Sequence, residues 1–163
     1  MPASPKPLWL DWTVILLIRL MITVTRFMPL VWARALGRFV GAGLYYGNQR
    51  MRRVAIRNLE LAYPEWTLKT RRVVARQSVQ STGELMAEMG RVWTQPWVQT
   101  EALFEVEGLA CLTEPLASGQ GVIVLGPHLG NWELLGMHLA TLGNLVALYE
   151  PIPLKKLDQL VHR

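Results

Sequence analysis

The run GVIVLGPHLGNWE, Gly121 to Glu133, passes from six uncharged residues into a loop that carries a histidine and then a carboxylate. Val122, Ile123, Val124 and Leu125 are apolar, largely β-branched and bounded by Gly121 and Gly126. A short run of that kind reads as a fully buried strand of a parallel sheet, which has no solvent face to alternate toward. Asn131–Leu142 then reads as a helix and Leu145–Tyr149 as a second strand. Strand, loop, helix and strand make one βαβ unit, so the predicted fold class is α/β.

Working back toward the N-terminus, Phe104–Gly108 alternates like another short strand, and Leu109–Ala117 suggests a helix bent near Pro115. Before about Thr100 the texture is helical. Thr67 launches a long amphipathic helix, Leu68–Trp93, with Val74, Ser78, Leu85, Met89 and Val92 along one side and Gly83 weakening its middle. Arg50–Tyr63 is a helix with an apolar face of Val54, Leu59 and Ala62, its arginines crowded at the start, and Pro64 ends it. Pro29 opens a further helix, Leu30–Tyr46, which stops at Gly47-Asn48. On that helix Ala33, Gly37 and Gly41 recur every four residues and let another helix approach closely.

The segment Leu8–Trp32 is apolar but interrupted by Asp11, Arg19 and Arg26. Arg19 and Arg26, seven apart, share nearly one helix face. A polar stripe on an apolar helix favours a segment lying in the membrane interface. A tilted span with Arg19 buried in protein is the second reading. A cleavable signal peptide, suggested by Ala33-Arg34-Ala35, fits least because arginines and a proline break its apolar region.

Charge follows the same division. The chain of 163 residues carries +5, with pI near 9.8 and mean hydropathy +0.20. Residues 1–60 hold nine basic side chains against two acidic, and residues 101–163 hold three against seven. A basic, apolar front end suits an anionic lipid surface. Cys111 is the single cysteine, so no internal disulfide and no cysteine-based zinc cluster can form, and its apolar neighbours make buried filler the expected role.

The chemistry sits after the first predicted strand. In an α/β unit, loops at the carboxyl ends of strands present reactive groups. Asn131 is a plausible N-cap that puts Glu133 in the first helical turn, and His128 can fold back over that turn. The carboxylate would then fix the histidine tautomer and stabilise the imidazolium formed when the other ring nitrogen takes a proton. Backbone N–H groups at the helix start could stabilise an oxyanion.

His128-x4-Glu133, written HLGNWE after GVIVLGP, resembles the hallmark of the lipid A lauroyl/myristoyl acyltransferase family, a branch of the glycerolipid acyltransferase superfamily whose other branches place aspartate last. RRVAIRNLELAYPEW, Arg52–Trp66, is similar to the family's arginine-rich helix and its NL-x-x-x-(F/Y)-P-E signature. Glu84–Trp93 falls where the family has a helical stretch. Leu148–Pro151 and Leu157–Leu160 with Arg163 resemble a second block, although Glu150 stands where arginine commonly follows the tyrosine.

The resemblance implies an acyltransferase that moves a fatty acyl chain from acyl-carrier protein, less often acyl-CoA, to a hydroxyl of a lipid A precursor or related glycolipid. His128 would be the general base and Glu133 its orienter, with Gly130, Asn131 and Arg163 near the substrate. Arg50, Arg52, Arg53 and Arg57 would meet lipid phosphates or the acidic carrier protein, with lipid favoured. No cofactor or metal is implied. The location would be the cytoplasmic side of a bacterial inner membrane. Residues 1–48 are then expected to be a membrane-associated helical anchor, 49–99 a helical segment packed on the catalytic domain, and 100–163 the first part of a glycerolipid-acyltransferase-like sheet domain, truncated because the family runs well past Arg163. The alternative is a non-catalytic membrane-associated fragment of such an enzyme. A metal-dependent hydrolase using His128, Glu133 and His138 lacks a His-Glu-x-x-His motif. A nucleic-acid binder, prompted by the pI, lacks any nucleic-acid motif, so no nucleic-acid partner is expected.

Overall fold

The computed structural model describes residues 8–148, so Tyr149, Glu150, Arg163 and the rest of the second block lie outside the described residues. Among the described residues seven helices follow one another: α1 (Leu8–Phe27), α2 (Leu30–Gly47), α3 (Gln49–Ala62), α4 (Leu68–Val92), α5 (Trp97–Glu101), α6 (Ala110–Ala117) and α7 (Trp132–Leu142).

Local chemistry sets four of the early helix boundaries. Pro29 occupies the N-cap of α2, where its missing N–H costs no helical bond. Asn48 stops α2 and starts α3 at once: its N–H reaches Leu44 O, and its side chain accepts from Met51 N. Thr67 caps α4 in the same way by accepting from Thr70 N, a contact worth about 1 kcal/mol.

The core is built on α4, with α1, α2 and α3 laid against it. Its register with α2 is antiparallel. Arg34 pairs with Glu88 at 2.7 Å, Arg38 with Glu84, and the Tyr45 hydroxyl donates to Arg72 O at 3.2 Å. Between those ends the backbones nearly touch. A methyl group at Gly41 would lie 2.6 Å from Val79 O and 2.7 Å from Gln80 Cα, and one at Gly83 would meet the Gly37 carbonyl. The expected small-residue face of Ala33, Gly37 and Gly41 is therefore a real seam, and all three are buried. Gly83, read as a weakness of the long helix, is the partner that admits Gly37. Ser78, expected on the apolar side of α4, is exposed; Ala75 and Val79 are buried there.

At the far end of the seam, Tyr45, Ala75 and Val79 form a small core that Ala55, Ile56 and Leu59 of α3 cover. At the near end, Thr25 of α1 is fully buried, bonds back to Met21 O at 2.9 Å, and packs where Gly90 leaves room. Arg91 closes this corner by donating to Met28 O at 2.8 Å.

The α/β expectation is overturned: among the described residues there is no strand and no sheet. Residues 121–126 take no regular structure and all but Val122 are exposed, with Ile123 at 92% and Leu125 at 89%, and Val146 in the second expected strand is at 93%. Phe104–Gly108 is irregular as well. A strand exists only when its N–H and C=O groups pair with a neighbour. Residues 121–126 and 144–148 form no ladder with each other or with any described segment, so the predicted βαβ unit reduces to α7 alone. Apolar, β-branched composition reports what a segment would bury, and says nothing about whether a partner lies beside it. Cys111, expected to be buried, is exposed.

No helix among the described residues is long and apolar enough to cross a membrane. Arg19 and Arg26 are exposed, and so is an apolar surface on α1 and α2 that includes Leu16, Leu20, Phe27, Val31, Trp32 and Phe39.

Candidate active site

The loop from Pro127 to Asn131 passes in front of α4 and turns into α7. Gly130 makes the turn with φ +60, a left-handed conformation that a side chain resists by about 1 kcal/mol. Asn131 follows at the N-cap of α7, and Glu133 lies in the first turn, as the spacing predicts.

Asn131 does not cap the helix. Its side chain makes no bond to α7, and its Nδ2 instead donates to Glu88 Oε2 of α4 at 2.8 Å. A forgone cap costs about 1 kcal/mol, whereas a hydrogen bond to an ionised carboxylate contributes about 1.5–3 kcal/mol. The exchange fastens the loop to α4 and leaves the start of α7 without a side-chain cap. Asn131 Oδ1 is buried with no hydrogen-bond partner among the described residues.

The loop, α2, α4 and the start of α7 line a half-open cavity of about 630 Å³. His128, Leu129, Gly130 and Asn131 form one wall; Arg34, Ser81, Thr82, Glu84 and Glu88 form much of another. Three of the expected site residues, His128, Gly130 and Asn131, thus come together at one opening. Glu133 is not part of its lining.

The expected contact between imidazole and carboxylate is not made: no hydrogen bond joins His128 to Glu133 among the described residues. The exposed His128 ring lies on Trp132, with ring centroids 4.6 Å apart. Glu133 Oε2 accepts from Trp93 Nε1 at 3.3 Å. Trp93, at the C-cap of α4, is a partner that spacing around His128 could not reveal, because it lies forty residues upstream.

The arginines expected to contact lipid or carrier lie elsewhere, on α3. Arg50, Arg53 and Arg57 are exposed and Arg52 is half-buried. Arg57 pairs with Glu60, which Arg71 also approaches at 3.3 Å. The Arg57 hydrogen bond and charge, with Arg71 behind them, hold the Glu60 carboxyl below its ordinary value. Arg50 also borders an open, largely apolar groove between α3 and α4, with Met51, Val54, Leu59 and Ala75. His138 is buried against Trp97 and Phe104, with both ring nitrogens unpartnered among the described residues. His128, Glu133 and His138 do not form a group able to hold a metal ion.

Residues 4–163 match the family of bacterial lipid A biosynthesis acyltransferases, and the chain belongs to that family. Among individual relatives, it is similar to the lipid A biosynthesis palmitoleoyltransferase of Escherichia coli K12, at 30% identity over 116 residues. It is also similar to the lipid A biosynthesis lauroyltransferase of that organism, at 27% over 126 residues, and to a lipid A biosynthesis acyltransferase of Haemophilus influenzae, at 29% over 100 residues. These alignments cover 71%, 77% and 59% of the chain, but only 38%, 40% and 32% of the respective relatives. No solved structure matches the chain.

Proposed function

We propose that this chain carries the acyl-transfer centre of a lipid A acyltransferase, with His128 as general base on a hydroxyl of the glycolipid acceptor and Glu133 as its orienter. The observation that carries the reading is the meeting of His128, Gly130 and Asn131 at one cavity, in a chain of this family. The donor is a fatty acyl thioester of acyl-carrier protein. His128 takes the hydroxyl proton as the alcohol oxygen bonds to the thioester carbonyl carbon. The resulting oxyanion is stabilised by N–H groups at the uncapped start of α7. Collapse breaks the C–S bond, and the imidazolium returns its proton to the departing thiolate. His128 reaches Glu133 by leaving the face of Trp132, an adjustment of the kind catalytic hydrogen bonds make on substrate binding.

The exposed apolar surface of α1 and α2, with Arg19 and Arg26 beside it, supports association with the membrane surface where such an acceptor resides. On this reading residues 1–48 supply the membrane-associated part, residues 49–99 the helical support, and residues 100–163 the part that carries the reactive loop. The arginines of α3 contact lipid phosphates, on the cytoplasmic side of a bacterial inner membrane.

One observation favours a second reading, a non-catalytic membrane-associated fragment: the Glu133 carboxylate is engaged by Trp93 and not by His128. Detergent-solubilised protein given labelled acyl-carrier thioester and a lipid A precursor separates the two. The transferase reading predicts a lipid product heavier by one acyl chain, found by mass spectrometry; absence of that product supports the second reading.

A further inference from the structure

The stretch from Pro127 to Gly130 makes no hydrogen bond to another element among the described residues. His128, Leu129 and Gly130 are exposed, and the bond from Leu129 N to Pro127 O, at 2.8 Å, stays within the loop. Among the described residues, the loop is tied to another element at Asn131, whose Nδ2 donates to Glu88 Oε2 at 2.8 Å; Glu133, further on in the first turn of α7, has its own bond from Trp93 Nε1. Glu88 is well placed to receive it. Its side chain is 13% exposed, and its second oxygen, Oε1, is fixed by Arg34 Nε at 2.7 Å. The carboxylate therefore spans from α2 to the loop, one oxygen on each, at the wall of the cavity that His128 also lines. An ionised carboxylate held by a guanidinium is a strong, directional acceptor.

We propose that Glu88, oriented by Arg34, is a positioning residue that seats the His128 loop by holding Asn131 away from the cap of α7. Asn131 acts here as the loop's fastening and leaves the first N–H groups of α7, those of Trp132 and Glu133, without a side-chain cap. The catalytic consequence rests on His128 being the base; the fastening itself does not.

Donor and acceptor can be exchanged to test this. Asn131→Asp sets two carboxylates face to face and frees residue 131 to turn back and cap α7. Glu88→Gln removes the charge that Arg34 holds. Together, Asn131→Asp with Glu88→Gln recreates the contact with polarity reversed, the glutamine amide donating to the aspartate. Hydrogen exchange of the peptide covering residues 127–131, in the protein without substrate, should be several-fold faster in Asn131→Asp and return to the parent rate in the double variant. Turnover should fall roughly tenfold in Asn131→Asp with KM little changed, and recover in the double variant, while melting temperatures stay together. Unchanged exchange in Asn131→Asp, or a double variant no better than that single one, overturns the proposal. Should Asn131→Asp fail to fold, faster exchange in Glu88→Gln supports the fastening and unchanged exchange overturns it. If the parent transfers no acyl chain, the proposed function falls, and exchange still decides the role of Glu88.

Discussion

The indole N–H of Trp93, the residue that ends α4, donates to the carboxylate of Glu133, in the first turn of α7, across 3.3 Å. The bond brings the last turn of the long helix to the first turn of the short one. Without substrate, the carboxylate has a fixed address beside the loop that bears His128. Trp93→Phe keeps an aromatic ring and removes the donor. If Trp93 prepares Glu133 for its work on the imidazole, turnover falls by about tenfold, equivalent to ~1.4 kcal/mol, with KM unaltered. Steady-state kinetics of acyl transfer checks this.

The seam between α2 and α4 sets the second expectation. At Gly41 and Gly83 a Cβ would run into backbone of the facing helix, and backbone cannot step aside as a side chain can. Gly41→Ala or Gly83→Ala should destabilise the fold by about 1–3 kcal/mol or more. Gly43 and Gly47 have open space around them, so Gly43→Ala is the control that leaves the melting temperature close to the parent's.

His138 carries a cost that the fold tolerates. Its ring is buried between Trp97 and Phe104 with neither nitrogen bonded among the described residues. His138→Phe exchanges unpaired polar atoms for aromatic contact and should stabilise by about 1 kcal/mol, read as a higher denaturation midpoint with an unchanged slope.

Glu60 gives the fold a pH dependence of known sign. The Arg57 hydrogen bond and charge lower its folded-state pKa, so its stabilisation is present above the ordinary carboxylate value and is lost as pH falls through the depressed one. Glu60→Gln should therefore be slightly less stable than the parent at neutral pH, and the two should converge under acid conditions. Denaturation of both proteins at several pH values tests the convergence.

How much of this was legible in the sequence depends on distance along the chain. Pro29, Asn48, Pro64 and Thr67 act on residues beside them, so the boundaries of α2, α3 and the start of α4 could be read locally. The four-residue spacing of Ala33, Gly37 and Gly41 announced a close approach but could not name Gly83 as its partner. At the site, the position of Glu133 in the first turn of α7 is a local feature and was legible. The hydrogen-bond partners of Asn131 and Glu133 were not, because Glu88 and Trp93 lie on α4, about forty residues away. The run 121–126 failed for a related reason. Its composition advertised burial, but a strand is defined by a neighbour, and none of the described residues provides one.

The central claim, that the His128 imidazole removes the acceptor's proton, is most directly tested by turnover of His128→Ala in a chain carried to the relatives' full length. Membrane association and folding, measured alongside, should match the parent. The account predicts a loss of about 10²–10⁴-fold in acyl transfer. A His128→Ala protein that transfers acyl chains at near-parent rate contradicts it.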